Sequence, residues 1–263
     1  MAYLSGSWKS RVLHRDTHFE AIVPYDDRLD IGHTGDPKLL ILLHGAGGGS
    51  RTWTRFSAVE QYIEKKNVVV IMPEGDLSFY LNMKYGMNFE DYIVKELPDL
   101  AQKFFRVSLK REDITIAGLS MGGFGALHSA LKFPEVFGQC GVFSAPCSIA
   151  ESGKPKGGRR EHQDFSLDDD FWDRTLMCLS GDGRAFPEDT DLYRFSERCC
   201  GGEILPRVFH VCGTEDELFD MNQRLALQLS GYKNLEYEFV TMKGAHYFDV
   251  WDPAIRMMIE RFY

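Results

Sequence analysis

The chain has 263 residues, 44% hydrophobic and 26% charged, a balance that excludes disordered, fibrous and membrane-embedded classes. A formal net charge of −9 argues against nucleic acid or anionic membrane as the main partner, because an acidic surface repels both. The longest apolar runs, 39–43 and 68–72, fall far short of a bilayer span, and the first residues lack the apolar stretch of a signal peptide. The expectation is therefore a cytoplasmic chain. The six cysteines, at 140, 147, 178, 199, 200 and 212, have no paired metal-binding spacing and are expected to be free thiols.

In chain order, residues 3–24 are β-rich without a helical period and predict two strands. "KLLILLHG" (38–45) and "NVVVIMP" (67–73) are continuous apolar runs, the pattern of strands buried on both faces, with a helical stretch at 50–66 between them. Residues 87–105 place Phe89, Ile93, Leu97, Leu100 and Phe104 at helical spacing. "DITIAG" (113–118) predicts a third buried strand, 121–133 a helix, 136–144 a fourth strand and 207–213 a fifth. A helix over about 217–230, a strand over 235–242 and a helix over about 252–262 complete the series. Strands alternating with helices imply a mostly parallel, doubly wound α/β sheet in one domain. Residues 147–205 break the alternation. "SGKPKGGRRE" and "DDD" make this stretch polar, and as an insertion it could cover the C-terminal edge of the strands, where ligands bind in such sheets.

Gly118-Leu119-Ser120-Met121-Gly122 fits G-x-S-x-G between a strand and a helix. The glycines leave room for a tight turn that would hold Ser120 in a strained conformation with its hydroxyl above the sheet edge. His246, in a small-residue turn after the last strand, is the candidate base. His128 should point away from the site, and His210 lies inside a strand as a core residue. His14 and His18 have a helical zinc spacing in a segment that is not helical. Asp216 is the candidate carboxylate to orient the histidine, with its neighbour Glu215 the alternative. The order Ser120, Asp216, His246 is that of α/β-hydrolases. Two backbone N–H groups should complete an oxyanion hole: Met121, at the helix start, and Ala46 (or Gly47) in "HGAGGGS". That loop lacks the residues of a phosphate cradle. Gly47, Trp53, Phe79 and Tyr80 are candidate pocket residues, with core packing as the alternative for the aromatics; Trp251 could equally pack against the last helix.

The segments "LLHGAGG", "VVVIMPEGDLSFY", "GLSMGGFGAL", "CGTEDELF" and "GAHYFDVWD" resemble the putative esterase family of tributyrin, feruloyl and acetyl-xylan esterases and S-formylglutathione hydrolase. The resemblance implies an α/β-hydrolase fold and a serine carboxylesterase with the triad Ser120, Asp216 and His246. Its substrates would be short-acyl or hydroxycinnamoyl (feruloyl or acetyl) esters, small or on oligosaccharides, with no metal or organic cofactor. A thioesterase like S-formylglutathione hydrolase is the alternative. That branch usually carries Ser-Gly-Leu-Thr-Cys where this chain has His44-Gly45-Ala46-Gly47-Gly48, which weighs against it. A homo-oligomer is compatible with the sequence.

Overall fold

The computed structural model describes residues 1–24, 35–152, 169–181 and 188–263. Strands β1 (Ala2–Ser10) and β2 (Arg15–Val23) form an antiparallel hairpin at one edge of the sheet. Then come β3 (Lys38–Leu43), helices α1 (Thr52–Phe56) and α2 (Val59–Ile63), and β4 (Val68–Pro73). The stretch expected as one helix at 50–66 is thus two short ones: the chain turns extended at Ser57, whose hydroxyl and amide both pair with the Trp53 carbonyl.

The next helical segment comprises α3 (Phe89–Asp91), a π turn (Tyr92–Glu96) and α4 (Leu97–Phe105). Pro98 explains the irregularity. It has no N–H for the ordinary helical bond, and one residue earlier the Leu97 amide reaches back five residues to the Tyr92 carbonyl. Phe89, Ile93 and Leu97 are buried as their spacing predicts, but Phe104 is 64% exposed, its ring lying against Trp8 at 6.2 Å.

The remaining elements are β5 (Ile114–Leu119), α5 (Met121–Lys132), β6 (Gln139–Phe143), α6 (Ile149–Ser152), α7 (Asp169–Ser180), α8 (Leu192–Cys199), β7 (Arg207–Gly213), α9 (Phe219–Leu229), β8 (Tyr237–Met242) and α10 (Phe248–Phe262). Helix α10 begins four residues before the expected start, with Pro253 inside it. Much of the polar stretch at 147–205, including 153–161 of "SGKPKGGRRE", lies outside the described residues. Of the described part, α8 packs against α5 and stacks Phe195 on His128 at 4.4 Å.

The eight strands form one sheet in the order β1-β2-β4-β3-β5-β6-β7-β8, parallel from β4 to β8. Alternate residues of each central strand feed two cores. Leu39, Ile41, Leu43, Ile114 and Ile116 face α5, while Leu40, Leu42, Ala117 and Leu119 face α1, α2 and α10. Burial of each leucine or isoleucine contributes about 1.5–3 kcal/mol, which is why these strands read as apolar runs. The pairing register sets the strand ends level: Leu43 opposite Gly118, Leu119 opposite Phe143, Phe143 opposite Val211, and Gly213 opposite Met242. The loops leaving these strands therefore converge on one edge.

Candidate functional site

Ser120 occupies the junction of β5 and α5 with φ 52° and ψ −122°, a conformation that L-residues avoid. Its amide donates to the Phe143 carbonyl at 2.8 Å, and its own carbonyl receives the Phe124 amide. The turn is tight on every side. A Cβ on Gly118 would overlap the Gly122 backbone, and one on Gly122 would come within 2.6 Å of the Leu43 carbonyl oxygen. The glycines are there because backbone occupies the space, and the strain on Ser120 is retained because the surroundings determine the turn. The hydroxyl remains accessible, since Ser120 is only half-buried.

Two other strand ends supply its partners. After β8 the chain turns at Gly244, with φ +146°, and brings His246 to within 2.9 Å of Ser120 Oγ through Nε2. After β7, Asp216 is buried and its two oxygens lie 2.9 and 3.1 Å from His246 Nδ1. A carboxylate only accepts, so Nδ1 carries the proton, and the Nε2 lone pair faces the serine hydroxyl. Burial alone would raise the Asp216 carboxyl, but the His246 hydrogen bond and charge and the Leu218 amide hold it below the usual carboxylate range. Asp216 Oδ1 takes that amide at 2.8 Å, which fixes the carboxylate's rotation. Glu215 is exposed and its amide is tied to the Gly244 carbonyl. Chemically, the arrangement can draw a proton from Ser120 and hold the resulting imidazolium against a carboxylate.

The loop after β3 passes beside this group. A Cβ on Gly45 would lie 3.3 Å from Ser120 Cβ, Ala46 is half-buried, and Gly47 is exposed with φ +73°. Met121 opens the 12-residue α5, so its amide is at the positive end of that helix beside Ser120.

Three candidate pocket residues have the packing that the alternative reading describes. Trp53, Phe79 and Tyr80 are all but fully buried. Trp53 donates its indole N–H to the Leu43 carbonyl and meets Phe143 and Phe248 edge-on. Phe79 meets Phe124 edge-on at 5.6 Å, and Tyr80 donates its hydroxyl to the His44 carbonyl at 3.0 Å. They support the loop and α5 from beneath, since an aromatic ring stabilises more by full burial than by facing water.

Two further histidines, His210 and His128, lie in the core. His210 is satisfied in the core by the Tyr237 hydroxyl at 2.7 Å and Asn222 Oδ1 at 2.8 Å, and burial lowers it to about 4. His128 is buried against Phe124 and Phe195, and burial lowers it to about 3. All six cysteines are free, and the described residues contain no group of three metal-binding side chains.

Two features near the site were not legible in the sequence. Ser144, just past β6, is fully buried with φ 51° and is one of the groups that lower Asp216. Trp251 lies in α10, 6% exposed, and its ring meets the His246 ring edge-on at 4.9 Å. The histidine lies two residues before the helix, so the sequence alone left the packing direction of Trp251 open.

The family model described as Putative esterase matches residues 10–262. An acetyl esterase of Caldicellulosiruptor saccharolyticus is 26% identical over 268 residues, covering 99% of this chain and 97% of the relative. Among solved structures, the fluorophosphonate-binding serine hydrolase FphF of Staphylococcus aureus, with substrate bound, superposes with a TM-score of 0.82 at 29% identity, covering 99% of this chain and 98% of that one. FrmB of Staphylococcus aureus, described as an S-formylglutathione hydrolase, also gives 0.82, at 28% identity and with the same coverage. The chain belongs to the putative esterase family, has the α/β-hydrolase fold of these serine hydrolases, and is a hydrolase acting on esters.

Proposed function

We propose that the chain is a serine carboxylesterase that cleaves short-acyl or hydroxycinnamoyl esters through an acyl-enzyme on Ser120. His246 takes the hydroxyl proton as Ser120 attacks the ester carbonyl, and Asp216 keeps the imidazole in its tautomer and stabilises the imidazolium. The tetrahedral oxyanion rests on the amides of Met121 and Ala46. His246 then protonates the leaving alcohol and later activates the water that releases the acid. The observation that carries this reading is the continuous contact Asp216–His246–Ser120, with both heteroatom distances at 2.9 Å. The acetyl esterase relative favours small acyl groups, and the 147–205 segment, read as an insertion within one α/β-hydrolase domain, is where substrate selection would reside. A thioesterase is the second reading, favoured by the likeness to FrmB.

The experiment is labelling by a fluorophosphonate, located by peptide mass, followed by turnover of p-nitrophenyl acetate, butyrate and octanoate, methyl ferulate and S-formylglutathione. Modification of Ser120 with fastest turnover of acetate or ferulate is expected. Absence of labelling would remove both readings, and preference for S-formylglutathione would replace the first by the second.

A further inference from the structure

His44 follows β3 directly and begins the loop that carries Ala46. Its ring is 1% exposed and turns back under that loop, with Nδ1 2.8 Å from the Gly45 carbonyl oxygen. A carbonyl only accepts, so Nδ1 carries a proton and donates it there. On the other side of the ring, Nε2 accepts the Gly75 amide N–H at 3.0 Å, a donor it shares with Glu74 Oε1. Glu74 is itself anchored, accepting from the amides of Ser50, Gly75 and Asp76 at 3.3, 3.3 and 3.4 Å. These contacts fix the rotation of the imidazole, so that Nδ1 stays aimed at Gly45. Little else could occupy the space, since a Cβ on Gly48 would come within 3.4 Å of Nδ1 and one on Gly49 within 3.0 Å of Glu74 Oε2.

The Gly45 carbonyl and the Ala46 N–H are the two ends of one peptide unit. A donor bound to the oxygen end draws electron density from the nitrogen end, and hydrogen bonds in such a chain strengthen one another by roughly 10–30% each. The gain is largest when negative charge develops at the N–H end, which happens in a tetrahedral transition state and not in the ground state. We infer that His44, held through the Gly75 amide that Glu74 also binds, is a positioning residue of the oxyanion hole, aligning and polarising the Gly45–Ala46 peptide. The inference rests on the reading of Ser120 as nucleophile and Ala46 as donor.

The test compares wild type with His44→Leu, His44→Asn and Glu74→Gln, alongside Ser120→Ala. The readouts are p-nitrophenyl acetate kinetics, the affinity of phenylboronic acid, which forms a tetrahedral adduct on a serine, and circular-dichroism melting to establish folding. His44→Leu is expected to lose about 10–100-fold in kcat with KM within about twofold, less than direct removal of an oxyanion donor. Boronate affinity should fall by the same factor. His44→Asn, whose side-chain N–H can stand where Nδ1 does, should recover most of the loss, which a purely structural role would not do. Normal turnover in folded His44→Leu, or a fall in kcat without a fall in boronate affinity, would overturn the inference. So would a folded His44→Asn as poor as His44→Leu. If His44→Leu does not fold, Glu74→Gln decides: kcat and boronate affinity fall together by about threefold or more under the inference and stay at wild-type values against it. Hydrolysis surviving in Ser120→Ala would sink the nucleophile reading itself. An inactive Ser120→Ala beside unaffected His44 and Glu74 variants would sink only this one.

Discussion

Two strained turns flank the loop after β3, and their strain serves opposite ends. At the elbow, Ser120 has φ 52° and is ringed by glycines whose missing side chains make room for backbone. Across the loop, Phe79 and Tyr80 have φ 51° and 59°, with no glycine at either position. A left-handed residue costs of order 1–3 kcal/mol, so each turn must be held by something. At 79–80 the compensation is local, because two aromatic rings are buried at about 2–3 kcal/mol each and the Tyr80 hydroxyl pairs with His44. The elbow has no such return from Ser120 itself, whose side chain is left half-buried against His246. Its compensation is remote, in the fully buried β5 and in α5, which fix both ends of the turn. Positive φ therefore does not by itself mark a site.

That contrast can be broken most sharply by side-chain removal at the elbow. Ser120→Ala should lower ester turnover by about 10⁴-fold or more and leave the melting temperature nearly unchanged. Asp216→Asn should cost about 10²–10⁴-fold in kcat with KM largely kept, as the imidazole loses its tautomer control. Steady-state kinetics on p-nitrophenyl acetate measure both, and near-normal turnover of Asp216→Asn would move the orienting role elsewhere.

Backbone crowding has the next largest effect. Gly122→Ala puts a Cβ 2.6 Å from the Leu43 carbonyl oxygen, a clash that no side chain can relieve. A loss of about 3 kcal/mol or more in urea denaturation is expected, the upper range for overpacking. Gly125→Ala meets the Tyr80 side chain first, Cδ2 at 2.6 Å and Cβ at 2.8 Å, rather than backbone, and should cost less, about 1–2 kcal/mol. Equal losses would erase the distinction between the two turns. On the aromatic turn, Tyr80→Phe leaves the buried His44 carbonyl without its hydroxyl donor and should cost about 1 kcal/mol.

The smallest effect is in pH. Burial would raise the Glu74 carboxyl, but His44 and the amides of Ser50 and Asp76 bring it down to about 2, from an ordinary value near 4.5. A depressed carboxyl adds stability that is complete above pH ~4.5 and disappears as pH falls toward 2. Glu74→Gln should therefore be less stable than wild type at neutral pH, with the deficit closing between pH ~4.5 and 2 in denaturation series. A deficit independent of pH would mean that the carboxylate charge is not what holds the loop.

The central strands were legible because a strand buried on both faces needs mostly apolar side chains, and β3, β4 and β5 are apolar over nearly their whole length. Ser120 was legible because its glycines sit between a strand and a helix. The boundaries were less so. The sequence suggests a helix start near 252, but α10 begins at Phe248, where Tyr247 is extended and the amide of Trp251 already pairs with the Tyr247 carbonyl. For Trp53, Phe79 and Tyr80 the alternatives stayed open for a different reason. An aromatic near a site reads the same whether it walls a pocket or supports a loop from below, and only neighbours distant in sequence decide.

By itself, the sequence determined the alternation of strands and helices, the strained elbow and the chain order of serine, acid and histidine, because these depend on local propensity and spacing. Only the tertiary structure decided that Asp216 rather than Glu215 meets His246. Adjacent residues after a strand point in different directions, and the choice depends on where the turn after β8 delivers the imidazole. It also decided that His44 and Glu74, 30 positions apart, share a hydrogen-bonded cluster under the loop. Their meeting follows from the parallel pairing of β3 with β4, which sets the two strand ends side by side.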